Sequence, residues 1–209
     1  MHSKPKGTIE KVAGIESYVT GDKSSQTAIL CIYDIFGFWD TTKQGADLLA
    51  ESMKTKVVMP DFLRDHPWPI DAFPPRDEEE GKKFGQWLET IGNVGERVKD
   101  VKSVAEALKA DGVSKLGLYG FCWGGKVASQ LAGANSPFAG VAMVHPAFIA
   151  PEDAKSLTVP VAFFPSKDEP QNDVDGFWSN LKSEHPELVE KSQFNHYKEN
   201  HHGFAAARA

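Results

Sequence analysis

Six apolar stretches recur along the chain, each short and each bounded by polar or turn-forming residues. TAILCIYD (27–34) and TKVVMPDF (55–62) read as strands buried on both faces. SKLGLYG (114–120), FAGVAMVHP (138–146), TVPVAFFPSKD (158–168) and KSQFNHYKENHH (191–202) continue the series. Between the second and third lies NVGERVKDVKSVAEALKADG, with Val94, Val98, Val101, Ala105 and Leu108 on one helical stripe and Gly112 as a stop. Near-continuous apolar strands alternating with helices predict an α/β fold, a mainly parallel sheet covered on both faces. TIEKVAGIESYVTG (8–21) predicts a short antiparallel pair at one sheet edge.

One stretch breaks the pattern. LRDHPWPIDAFPPRDEEE (63–80) carries Pro67, Pro69, Pro74 and Pro75, which excludes a regular helix or a central strand through the proline-rich part. Its plain reading is a long surface loop; its functional reading is a lid or wall over a site, which its place after the C-terminal end of a strand supports.

Composition changes the picture mainly by exclusion. A chain of 209 residues is expected to form one domain spanning 1–209. Its net charge of −6 argues against nucleic acid or an anionic membrane surface as partner. No apolar stretch reaches the length of a membrane span, and the N-terminus lacks a signal-peptide core, so a cytoplasmic location is expected. Two cysteines do not make a disulfide framework, and Cys31 reads as a buried strand residue.

The other cysteine carries the chemistry. GFCWGG (120–125) places Cys122 between glycines, directly after one predicted strand and before KVASQLAGA. G-x-C-x-G is the nucleophile-elbow pattern with cysteine in place of serine: flanking residues must be small for the strained turn to fit. A helix opening at Trp123 would aim its N–H groups at the sulfur, lowering the thiol pKa and supplying one oxyanion donor. A nucleophilic thiol needs a base, and the base an orienting acid. In α/β-hydrolase folds these follow in the order acid, then histidine. FFPSKDEP presents Asp168, ahead of its competitors Asp173 and Asp175, and NHYKENHHGF offers His201 and His202. A general carboxylesterase or thioesterase, a silent protein that binds a ligand or partner, and a thiol redox sensor are the competing readings; the last lacks a nearby resolving cysteine. His145, His201 and His202 show no metal-ligand spacing, and neither metal nor organic cofactor is expected.

From YDIFGF through YGFCWGGK and SKDEP to HHGF, the sequence closely resembles the dienelactone hydrolase family of α/β-hydrolases. The resemblance implies a triad of Cys122, Asp168 and His202, with His202 preferred because it precedes Gly203. It also implies an oxyanion hole from the N–H groups of Ile35 and Trp123. Asp34 stands where the family carries a glutamate that contacts the resting thiol. The activity implied is hydrolysis of small lactones or carboxylic esters through a thioester, by a monomer or homodimer. Two features depart from the family. A substrate-binding arginine four residues after the catalytic histidine is replaced by Ala206, leaving Arg208 and, from the proline-rich loop, Arg76 or Arg64 as candidates. The chain also stops seven residues after His202, without the family's final helix, so an apolar sheet face should be uncovered.

Overall fold

The computed structural model describes residues 4–209. One eight-stranded sheet runs through it in the order β1-β2-β4-β3-β5-β6-β7-β8. The expected edge pair forms β1 (Thr8–Val12) and β2 (Ile15–Gly21), antiparallel to each other, and β2 also runs antiparallel to β4 (Lys56–Pro60). All remaining neighbours are parallel: β3 (Thr27–Ile32), β5 (Lys115–Phe121), β6 (Val141–Val144), β7 (Val161–Phe164) and β8 (Gln193–Phe194). This is the α/β-hydrolase arrangement, and it gathers the C-terminal ends of β3, β5 and β7 along one edge.

The strand expected over 191–202 is much shorter than its sequence pattern suggests. Only Gln193–Phe194 pairs with β7, and one further bridge joins Ser166 to Tyr197. The rest turns away because its side chains serve other purposes: His196 Nε2 bonds Ser166 O at 2.9 Å, and the histidine loop folds toward the site.

The helices are α1 (Asp40–Met53), α2 (Glu78–Glu89), α3 (Val94–Ala110), α4 (Trp123–Gln130), α5 (Gln171–Glu184) and the single turn α6 (Pro186–Val189). The predicted stripe is the buried face of α3, where Val101, Val104, Ala105 and Leu108 enter the core. Asn93 caps it, its side chain accepting the Glu96 N–H at 3.0 Å. The proline-rich loop ends sooner than its sequence suggests, because Asp77 accepts the Glu80 N–H at 2.9 Å and starts α2 inside the EEE run.

One face of the sheet holds Leu30, Val58, Leu118, Met143 and Phe163, all essentially inaccessible. The opposite alternation is only half-buried. Ile29, Tyr119, Ala142, Val144 and Ala162, with Leu49 of α1, line an apolar groove of about 480 Å³. Residues 202–208 form turns rather than a helix.

Candidate active site

Cys122 stands between β5 and α4 with φ 54° and ψ −119°, a backbone region that costs a non-glycine residue about 1–3 kcal/mol. Its neighbours leave the turn no alternative. A Cβ on Gly120 would lie 2.1 Å from Gly124 O, and one on Gly124 would lie 2.3 Å from Ile32 O. The cysteine's own peptide groups are pinned as well: its N–H donates to Val144 O at 3.1 Å, and its C=O accepts the Ala147 N–H at 2.9 Å. Trp123, fully buried, locks the other side by donating its ring N–H to Gly92 O at 2.8 Å. Packing thus holds the thiol at the tip of a strained turn, at the mouth of a cavity.

His202 meets that thiol. Both line the same cavity, and the His202 Nδ1 lies 2.5 Å from Glu169 Oε1. Burial pulls the imidazole toward neutrality, yet its interactions with Cys122 and Glu169 prevail and raise its pKa to about 10. Glu169 is itself buried and fixed, with Ser166 Oγ donating to Oε1 at 3.0 Å and the Ser166 N–H donating to Oε2.

The carboxylate that meets the ring is not the one expected from the sequence. Asp168 is exposed, and its carboxylate accepts the His202 backbone N–H at 2.8 Å instead of meeting the ring. The two carboxylates are neighbours in one turn after β7, so chain order could not separate them. The signal that does is Ser166, whose N–H and hydroxyl turn Glu169 inward. His201 is exposed, and His202 is the histidine that enters the site.

A second histidine backs the first. His145 is fully buried behind β6, its ring centroid 5.0 Å from that of His202 and 5.7 Å from that of Phe121. Neither of its ring nitrogens has a hydrogen-bond partner among the described residues. Burial, reinforced by the charge on His202, lowers its pKa to about 3 and keeps it neutral.

The cavity beyond Cys122 has a volume of about 610 Å³ and a largely apolar wall, with Ile35, Phe73, Phe84, Phe148 and Ile149 around Cys122 and His202. Phe73 and Phe84 come from the proline-rich segment and α2, so that region does wall the cavity. A cluster of rings stiffens it: Trp68, Phe73, Phe84 and Trp87 pack edge to face or stacked. The backbone N–H groups of Ile35 and Trp123 donate to no backbone or side-chain acceptor among the described residues, and Gly124 packs directly on the end of β3 that leads to Ile35.

The two candidate arginines separate. Arg208 lines the cavity over the rings of Phe36 and Phe73, 5.7 and 5.6 Å from their centroids. Arg76 is exposed and committed to Glu80, four residues on in the same surface segment. It is not a cavity residue, because the N-terminal turn of α2 holds it outward. Arg64 is likewise turned away, to Asp100 at 3.0 Å. Asp34 is buried but does not meet the thiol: its oxygens accept the N–H groups of Phe36 at 2.9 Å and Ala207 at 3.2 Å. One methylene shorter than a glutamate, it is taken up by its own loop.

Comparison with known proteins bears on these features. Residues 15–209 match the dienelactone hydrolase family as a whole. An uncharacterized AIM2 family protein of Schizosaccharomyces pombe is 36% identical over 203 residues, covering 96% of this chain and 80% of its own. A human carboxymethylenebutenolidase homolog is 28% identical over 179 residues, covering 82% and 69%. Among solved structures, a candidate dienelactone hydrolase from Klebsiella pneumoniae superposes with a TM-score of 0.70 at 17% identity, covering 91% of this chain and 82% of that one.

Proposed function

Since the chain belongs to the dienelactone hydrolase family, we propose that it is a cysteine-dependent hydrolase of small lactones or carboxylic esters. The observation that carries this reading is the grouping of Cys122, His202 and Glu169 at one apolar cavity, with Glu169 Oε1 2.5 Å from His202 Nδ1.

In the proposed reaction His202 takes the proton of Cys122, and the sulfur attacks the carbonyl carbon of an ester or lactone. The tetrahedral oxyanion lies against the N–H groups of Ile35 and Trp123. His202 then protonates the departing alkoxide, and a thioester remains on Cys122. Water, deprotonated by His202, attacks that thioester and releases the acid. Glu169 holds the ring and stabilises its cationic form, and Asp168 fixes the loop that carries it. Arg208 is the cation positioned to favour substrates that bring a negative group into the cavity.

The test is mass spectrometry of the protein mixed with p-nitrophenyl acetate, beside a Cys122→Ala control. Acetylation of Cys122 that decays with release of acetate supports the reading. A folded protein whose thiol stays unmodified overturns it.

A further inference from the structure

Asp34 is 1% exposed, and both its carboxylate oxygens are spent on backbone N–H groups from opposite ends of the chain. Oδ1 takes Phe36, two residues on; Oδ2 takes Ala207, in the final turns. Between them sits Ile35, whose N–H is the one assigned above to the oxyanion. The carbonyl of Ile35 is held from a third side, accepting the Trp68 N–H at 2.8 Å. The final turns are tied to the same region twice more. Thr41 Oγ1 donates to Ala206 O at 3.2 Å, and the Arg208 guanidinium lies over the Phe36 ring. At Gly203, φ 93° folds the chain back so tightly that a Cβ there would lie 2.8 Å from Arg208 Nε.

We propose that Asp34 is a positioning residue that clasps the C-terminal strap (204–209) to the oxyanion loop (34–36), so that the Ile35 N–H is aimed at the reacting carbonyl only while the strap is docked. This rests on the oxyanion reading above and extends it: completion of the hole depends on a contact 173 residues away in sequence.

The chemistry of the clasp is specific to a carboxylate. Two converging N–H donors need two acceptor oxygens; burial raises the Asp34 carboxyl pKa and the two N–H groups offset part of that, whereas an amide would turn its own NH₂ toward one of the donors. Asp34→Asn therefore keeps the shape and breaks one of the two bonds. Ala207→Pro removes the other partner, the Ala207 N–H, without altering any side chain in the cavity, and Ala207→Gly keeps that N–H as a control.

Two reactions of the same sulfur separate the proposed role from others. In acylation by p-nitrophenyl acetate, the Cys122 S–C bond forms, the ester C–O bond breaks with departure of p-nitrophenolate, and the thiol proton passes to His202. That path develops an oxyanion. In alkylation by iodoacetamide, an S–C bond forms, iodide leaves and the proton again passes to His202, with no oxyanion. We expect Asp34→Asn and Ala207→Pro to slow acylation roughly 10–100-fold, the range for a displaced oxyanion donor, with little change in alkylation. Ala207→Gly should acylate like the native protein.

If alkylation falls in parallel with acylation, Asp34 acts on the thiol and the proposal is overturned. Unchanged acylation in both variants also overturns it. A native protein that alkylates but never acylates removes the hydrolase reading instead, which keeps the two failures distinct. Should Asp34→Asn lose its near-UV circular dichroism, Ala207→Pro, judged against Ala207→Gly, carries the test.

Discussion

Glu169 Oε1 and His202 Nδ1 lie 2.5 Å apart, while the neighbouring Asp168 holds the same histidine by its backbone N–H at 2.8 Å. Two adjacent carboxylates thus grip one residue at two different places. Replacing them should have different consequences. Glu169→Gln removes the anion from the ring and favours the wrong tautomer, a change that costs about 10⁴ in kcat in a serine-protease triad. A loss of roughly 10²–10⁴ in p-nitrophenyl ester turnover is expected here, with KM little changed. Asp168→Asn keeps an oxygen that can accept the His202 N–H and should cost less than roughly tenfold. Equal losses from the two variants would count against Glu169 as the acid of the proposed triad.

Buried His145 and half-buried His202 should together give stability an optimum near the pKa of an unfolded histidine, about 6.5. His202 has its pKa raised, to about 10, so its contribution is full below about 6.5 and is lost as pH rises through 10. His145 has its pKa lowered, to about 3, so its contribution is full above about 6.5 and is lost as pH falls toward 3. Urea unfolding followed across this range should show stability falling on both sides. In His145→Phe the acid limb should flatten while the alkaline limb stays. An unchanged acid limb in that variant would show that carboxylates alone control it.

Two glycines of one strand offer an internal comparison. Gly117→Ala places a methyl no closer than 3.7 Å to Ile29, an ordinary contact, and should change stability by less than about 1 kcal/mol. Gly120→Ala drives a methyl to 2.1 Å from Gly124 O, backbone that cannot swing away. It should cost more than about 3 kcal/mol or abolish folding. Thermal melts of both variants read this directly.

Arg208 bears on charge selectivity. Arg208→Met keeps much of the side chain's apolar bulk over Phe36 and Phe73 and removes the cation. For p-nitrophenyl monoesters of dicarboxylic acids, kcat/KM should fall about 10-fold or more, the value of a charged hydrogen bond, while p-nitrophenyl acetate should be nearly unaffected. Parallel losses on both substrates would make Arg208 a structural residue of the strap.

Much of this was legible in the sequence, for definable reasons. Apolar runs such as TAILCIYD reveal buried parallel strands because both faces are covered, and α3 shows through its stripe. The elbow at Cys122 could be found because steric demand for glycine leaves a mark in the sequence. What escaped depends on which way a side chain turns. Asp168 and Glu169 are interchangeable by order, and only the Ser166 donors decide between them. The carboxylate of Asp34 goes to a backbone N–H far along the chain, which leaves no local trace. KSQFNHYKENHH looks like a strand by composition, but its histidines are recruited by contacts beyond the sheet.

The crowding at Gly120 and Gly124 has a consequence for altering this protein. The Cys122 thiol sits on backbone packed too closely to accept even a methyl group, so the elbow offers no room for adjustment. The cavity wall is built differently. Phe73 and Phe84 come from the loop and helix that follow β4, and Phe148, 57% exposed, stands beyond the end of β6. These rings can be exchanged for smaller or larger groups without disturbing the turn that aims the sulfur. A library confined to those three positions should therefore explore substrate size while most of its members still fold and keep a competent nucleophile.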